Sequence, residues 1–240
     1  MTRRASDPGI DTGIDAGIDT GIDTGIDAVI FDFAGVLSTS PGPTMIRRAE
    51  AHGIDLATFL PIMLGPLDAD ADHPYHDLER GRITIDEYDR AIESLWRAAG
   101  LTSFPPFPRG HEILAELAPV EEMIATARDT RAAGYATAIL TNNMHEWSGW
   151  RTVWDADNLV DVVIDSCQVG MRKPGRAIFE LTLERLGHPA VERTLFVDDF
   201  PWNVAAAEAL GLQTIHVTDP VAASIEIRRR LGLAPSPTTV

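Results

Sequence analysis

The sequence predicts an α/β fold: a doubly wound parallel sheet with a small helical cap inserted after the first strand. Three observations lead there. Short apolar runs occur at Ala28 to Phe31, Ala136 to Leu140, Leu159 to Ile164, Thr194 to Val197 and Gln213 to Val217, and continuous apolar runs suit strands covered on both faces. Helical patterns separate the later runs: Val120 to Ala133 after Pro119, Arg176 to Leu186 closed by Gly187, and Asn203 to Leu210 closed by Gly211. Proline near a helix start and glycine just past its end follow the asymmetry of helix termini, and strand, helix, strand at this spacing implies parallel pairing. The third observation is a break in the alternation: residues 43–117 read as helical, and Thr84-Ile85-Asp86-Glu87 forms a capping box opening a helix that carries Tyr88, Ile92 and Leu95. Residues 28–42 and 118–240 are therefore assigned to the core and 43–117 to the cap.

Composition sets the outer limits. The chain has 240 residues, 45% of them hydrophobic, enough for one full core and a smaller lobe. A net charge of −16 argues against nucleic acid and against an anionic membrane surface. A small phosphorylated substrate is compatible with that charge only where a metal ion or a local basic group offsets it. Cys167 is the single cysteine, which excludes an intramolecular disulfide, points to a cytoplasmic setting and reads as a small buried residue. From Gly9 to Ala28 the chain repeats Gly-Ile-Asp followed by Thr or Ala. A glycine in every repeat weakens a helix by about 1 kcal/mol each, so residues 1–27 are expected to form a disordered acidic tail. Arg3-Arg4 is followed by no apolar segment that would make it an export signal, and nowhere does the chain offer a membrane-spanning run.

In sheets of this class ligands bind at the carboxyl ends of the strands, and four segments bring chemistry there. Asp32 ends the first apolar run, where a carboxylate is costly unless a metal or hydrogen bonds hold it. Thr141 and Asn142 follow the second run, a hydroxyl and a backbone N–H able to donate to an anionic oxygen. Lys173, the one lysine among twenty basic residues, lies in Gly170-Met171-Arg172-Lys173-Pro174-Gly175; Pro174 disfavours helical backbone before it, and an ammonium on a flexible stem suits a phosphate oxygen beside a metal. Asp198-Asp199 ends the fourth run, and paired carboxylates repel unless a hard cation relieves them.

The order Asp32, Thr141, Lys173, Asp198-Asp199 resembles the four motifs of the haloacid dehalogenase superfamily, with the helical insertion where that family carries its C1 cap. The Gly-x-Arg-Lys-Pro run and the paired acids resemble the branch with sugar-phosphate phosphatases and the N-terminal phosphatase domain of soluble epoxide hydrolase. The resemblance implies that Asp32 attacks phosphorus and becomes an aspartyl-phosphate, that Thr141, Asn142 and Lys173 hold the transferring oxygens, and that Asp32, the carbonyl of Ala34 and Asp199, with Asp198 in support, bind Mg2+. It also implies a second aspartate at position 34, where this chain has alanine. Loss of a general acid–base group costs roughly 10²- to 10⁴-fold. His73, His76 and Glu79 of the cap have the chemistry to replace it, against the plainer reading of solvated surface groups. Two alternatives accompany the magnesium-dependent phosphatase reading: a metal-independent 2-haloacid dehalogenase, and a relative that binds phosphorylated ligands without turnover. The loop from Leu64 to Tyr75 is expected to set specificity. Oligomeric state is left open.

Overall fold

The structure, a computed structural model, describes residues 24–102 and 104–235. Five strands, β1 (Ala28–Phe31), β2 (Ala136–Thr141), β3 (Val162–Asp165), β4 (Thr194–Asp198) and β5 (Gln213–His216), form one sheet in the order β3-β2-β1-β4-β5. Every pairing is parallel, and the central strand pairs Phe31 with both Ile139 and Val197. Asp32, Thr141, Asp165 and Asp198 thereby come to one edge of the sheet.

Among the described residues, five helices make up the insertion that follows β1: α1 (Gly42–Ala51), α2 (Leu56–Leu64), α3 (Pro74–Glu79), α4 (Ile85–Ala98) and α5 (Gly110–Glu116). After them come α6 (Glu121–Ala132), the short α7 (Trp150–Val153), α8 (Ala156–Leu159) and α9 (Ser166–Val169), then α10 (Arg176–Arg185), α11 (Pro201–Leu210) and α12 (Pro220–Arg230). Alternate strand residues face opposite ways. Val29, Phe31, Ile139, Leu195 and Val197 pack with Met123 and Ala127 of α6 and Ala223 and Ile227 of α12. Ile30, Ala138, Leu140 and Phe196 pack with Ile178 and Phe179 of α10 and Ala207 of α11. The sheet is thus covered on both faces, as unbroken apolar strands require.

The inserted helices bury a further cluster, in which Phe59, Met63, Leu78, Tyr88, Ile92 and Trp96 meet. Both arms of the Thr84 capping box are present: Glu87 N donates to Thr84 Oγ1 at 3.2 Å and Thr84 N to Glu87 Oε2 at 2.8 Å. The two lobes interlock. Met144 and Trp147, which follow β2, pack into the inserted cluster, while Leu114 and Leu117 at the end of the insertion pack against the sheet cluster.

Three boundaries differ from the sequence reading. β3 starts at Val162 because Ala156–Leu159 is helical and buries Leu159 against the sheet. α11 starts at Pro201, a residue preorganised for the first helical position. The last Gly-Ile-Asp repeat also belongs to the fold: Ile26 is 4% exposed and joins the sheet cluster, Asp27 pairs with Arg193 at 2.8 Å, and Gln213 Nε2 donates to Gly25 O at 3.0 Å. Residues 1–23 of the expected tail lie outside the described residues. Among those described, no helix is long and apolar enough to cross a membrane.

Candidate active site

The site begins where β1 ends. Asp32 N donates to Val197 O at 2.8 Å, which carries the strand pairing one residue past β1 and sets the carboxylate at the sheet edge. Its Oδ1 accepts from Phe33 N at 2.7 Å and from Lys173 Nζ at 2.8 Å. The ammonium is 1% exposed and bridges onward to Asp198 Oδ2 at 2.6 Å. Lys173 is held by its backbone. The Asn142 side chain accepts from Lys173 N at 2.8 Å and donates to Lys173 O at 2.9 Å, so the end of β2 fixes the lysine; the Lys173–Pro174 peptide is cis.

The two acids after β4 have different surroundings. Asp198 is fully buried and satisfied, accepting from Phe200 N at 2.8 Å and Asn203 Nδ2 at 3.1 Å in addition to Lys173. Asp199 keeps Oδ1 buried without a hydrogen-bond partner. Gly35, at φ 93°, passes so close that a Cβ there would lie 2.1 Å from Asp199 Oδ2, so only glycine fits. Asp32, Asp198 and Asp199 each bring a carboxylate oxygen within 4.8 Å of the others. Three carboxylates thus face one ammonium, an excess of two negative charges that a divalent cation matches. An orphaned buried oxygen and an all-oxygen donor set fit a hard ion such as Mg2+.

Electrostatics agree with that fit. Burial pushes the Asp32 carboxyl up to about 8 against the pull of Lys173, with Asp198 and Asp199 adding to the rise. Burial and then the Asp198 charge push Asp199 up to about 7. Burial alone would lower Lys173, but Asp198 and Asp32 outweigh it and its pKa is raised. An ammonium at 2.8 Å favours ionised Asp32 while burial favours the neutral form. The short charge-assisted contact to Lys173 favours the ionised form, and a bound divalent cation would add to that pull.

Above this floor lies a cavity of about 360 Å³ lined by Asp32, Ala34, Thr141, Asn142 and Lys173. The Thr141 hydroxyl makes only a long 3.5 Å contact to Asn142 O and can turn toward a ligand. Ala34 presents a methyl group beside Asp32. Leu64, Leu67 and Tyr75 of the expected specificity loop also line the cavity.

The proposed stand-ins for an acid–base group do not serve. His73 and His76 are not among the lining residues. His73 Nδ1 accepts from Tyr75 N as the cap of α3, and His76, buried and not solvated, bonds through Nδ1 to Ala71. Glu79 does line the cavity, but its Oε2 accepts from Arg172 Nε at 2.6 Å, and both residues are buried. Sequence reasoning missed that pair, whose partners stand 93 positions apart. It also missed Asp165, which ends β3 as Asp198 ends β4 and accepts from Asn143 Nδ2 at 3.1 Å and Trp150 Nε1 at 3.2 Å. The rule that flagged Asp32, an acid closing an apolar run, would have found it. Cys167 is buried beside Asp165, and burial and then that charge raise its thiol well above the usual range, so it is inert.

Known proteins share this architecture. The chain is 31% identical to acyl-CoA dehydrogenase family member 10 of Mus musculus over 85% of its own length but only 19% of that protein. It is 30% identical to sesquiterpene phosphatase astK of Aspergillus oryzae, over 85% of this chain and 96% of that one. With bifunctional epoxide hydrolase 2 of Rattus norvegicus it shares 27% identity across 84% of this chain and 38% of the relative. Among solved structures, a HAD-like family hydrolase of Porphyromonas gingivalis matches with a TM-score of 0.61 at 27% identity, covering 84% of this chain and 96% of the other. Residues 26–211 match the haloacid dehalogenase-like hydrolase family, and the chain belongs to that family of hydrolases.

Proposed function

We propose that this hydrolase is a magnesium-dependent phosphomonoesterase that works through an aspartyl-phosphate on Asp32. The observation that carries the reading is the buried Asp32–Lys173–Asp198 chain opening onto a cavity, with an unpartnered Asp199 oxygen beside it. The phosphatase name of the Aspergillus relative, which the chain spans almost entirely, supports it.

Oδ1 of Asp32 is held by Phe33 N and Lys173, which leaves Oδ2 to attack phosphorus. The bond from phosphorus to the ester oxygen breaks, and the alcohol leaves. Lys173, the Thr141 hydroxyl and the backbone after it hold the phosphoryl oxygens as charge builds on them. Water then cleaves the acyl phosphate, releasing phosphate and restoring Asp32. Asp32, the Ala34 carbonyl and Asp199, with Asp198 in support, would hold Mg2+, which when bound supplies positive charge against both the carboxylates and the phosphoryl group. Ala34 has no proton to give, so the leaving oxygen takes its proton from solvent, and esters of acidic alcohols react fastest. In this reading residues 28–42 and 118–240 form the catalytic core and 43–117 the cap that selects a small phosphorylated metabolite, in a cytoplasmic setting.

A second reading, a relative that binds phosphorylated ligands without turnover, is favoured by Ala34 alone. The orphaned Asp199 oxygen speaks against a metal-independent dehalogenase. The test is p-nitrophenyl phosphate, whose leaving group needs no protonation, assayed with and without magnesium. Turnover should require the metal and fall by roughly 10³-fold or more in Asp32→Asn. Halide release from a 2-haloacid without metal, or phosphate binding with no turnover, would overturn the proposal.

A further inference from the structure

The cavity is polar at one end only. Asp32, Thr141, Asn142 and Lys173 form the phosphate end, and away from them the walls are mostly hydrocarbon and aromatic, supplied by both lobes. Ile46 and Leu67 from the insertion and Phe200 and Trp202 beside Asp199 line it, yet among the described residues none of the four packs into the apolar clusters of the fold. Phe200 and Trp202 stack on each other with ring centres 4.7 Å apart, and Phe200 and Ile46 remain 38% and 40% exposed. Their apolar surface is left open toward the cavity.

Most of the polar side chains that could read substrate hydroxyl groups are already engaged, with Asn203 Oδ1 the exception, buried and unpartnered. Glu79 is bound to Arg172, whose Nη1 also donates to Ala69 O at 3.2 Å. Asn142 spends its amide on the Lys173 backbone, Asn143 donates to Asp165, and Ser40 Oγ accepts from Gly42 N. A polyhydroxylated substrate would have to break these bonds or leave its own hydroxyls unpaired, and buried unpaired polar groups are costly. At about 360 Å³ the cavity is at the small end of ligand sites, so its occupant is compact.

We propose that the cavity takes the phosphate monoester of a hydrocarbon alcohol, a chain or small ring system without hydroxyl groups, in preference to a sugar phosphate. The proposal rests on the phosphomonoesterase reading for its turnover assay but not for its binding assay. The probes are n-butyl phosphate, n-octyl phosphate and a hexose phosphate, with p-nitrophenyl phosphate as the general control. Butyl and octyl alcohols are equally poor leaving groups, so their ratio isolates the wall. Each methylene moved from water to an apolar wall contributes about fourfold, so kcat/KM for octyl should exceed butyl by on the order of a hundredfold. The hexose ester should be the poorest. In Leu67→Ser the octyl-to-butyl ratio should fall severalfold, and a ratio taken within one preparation is insensitive to any unfolded fraction.

An octyl-to-butyl ratio near one with p-nitrophenyl phosphate turned over, or a preference for the hexose ester, sinks the hydrocarbon proposal and leaves the phosphatase intact. If no ester is turned over, calorimetric binding of octyl and butyl phosphate to the magnesium-loaded protein decides instead. A large ratio sustains the proposal and equal affinities overturn it.

Discussion

Replacing Arg172 by methionine removes one partner of the buried pair that ties the inserted helix α3 to the loop carrying Lys173. Nε of Arg172 donates to Glu79 Oε2 at 2.6 Å with the two side chains 2% and 6% exposed, so the carboxylate left behind is poorly solvated. It would keep the Tyr75 hydroxyl and a long contact to Asn142 Nδ2 at 3.4 Å, neither of them charged. Breaking a buried pair from one side costs about 3–5 kcal/mol, which in a chain of this size lowers Tm by roughly 6–20 °C. Glu79→Gln should cost less, about 1–3 kcal/mol, because Arg172 keeps Ala69 O at 3.2 Å and Asp70 at 3.5 Å. In the double variant no buried charge is left opposite a missing one, so its cost should fall below the sum of the singles by about 0.5–3 kcal/mol. Urea unfolding and thermal melting of the four proteins measure the cycle. Strict additivity, or a Glu79→Gln variant at least as damaged as Arg172→Met, would refute the view that charge burial governs this contact.

Three further outcomes are expected. Ala34→Asp should raise turnover of alkyl phosphates by roughly 10²-fold or more while changing p-nitrophenyl phosphate little; equal effects on both would count against a missing proton donor. Asp32 and Asp199 are raised to about 8 and about 7 in the folded chain, so between an unfolded value near 4 and those values the folded state holds protons that the unfolded state releases. The metal-free protein should therefore lose stability as pH rises through that window. The Tm gained on adding magnesium should be small at pH 5 and large at pH 8, and a pH-independent gain would contradict the site. Ile26→Ala should cost about 2 kcal/mol as a buried large-to-small change, seen as a lower Tm; an unchanged melt would mean that the last repeat contributes nothing.

The sheet was legible because both faces of its inner strands β1, β2 and β4 are buried and largely apolar, and the site because its acids end such strands: Asp32 and Asp198 are costly there without a function. Lys173 stood out through composition and its proline neighbour. Less legible were features made only in three dimensions. The α8 turn hid the true start of β3, since Leu159 is apolar in helix and strand alike. His73 and His76 have the side chains of proton carriers, but burial and backbone bonds turn them to structural use, which residue type cannot reveal. The last repeat looks like its predecessors in sequence, and nothing in that pattern announces its contacts with Arg193 and Gln213.

The interlocking of Met144 and Trp147 with Leu114 and Leu117 has a practical consequence for anyone who recombines such proteins. The boundary of the insertion in the chain is not its boundary in space. Excising residues 43–117 would strip the cover from Met144 and Trp147 and leave an adhesive scar next to the catalytic floor. Grafting the segment onto another scaffold would carry Leu114 and Leu117 into a surface not shaped for them. An exchange of the insertion between relatives must therefore move the turn after β2 together with the helices, as one unit discontinuous in sequence.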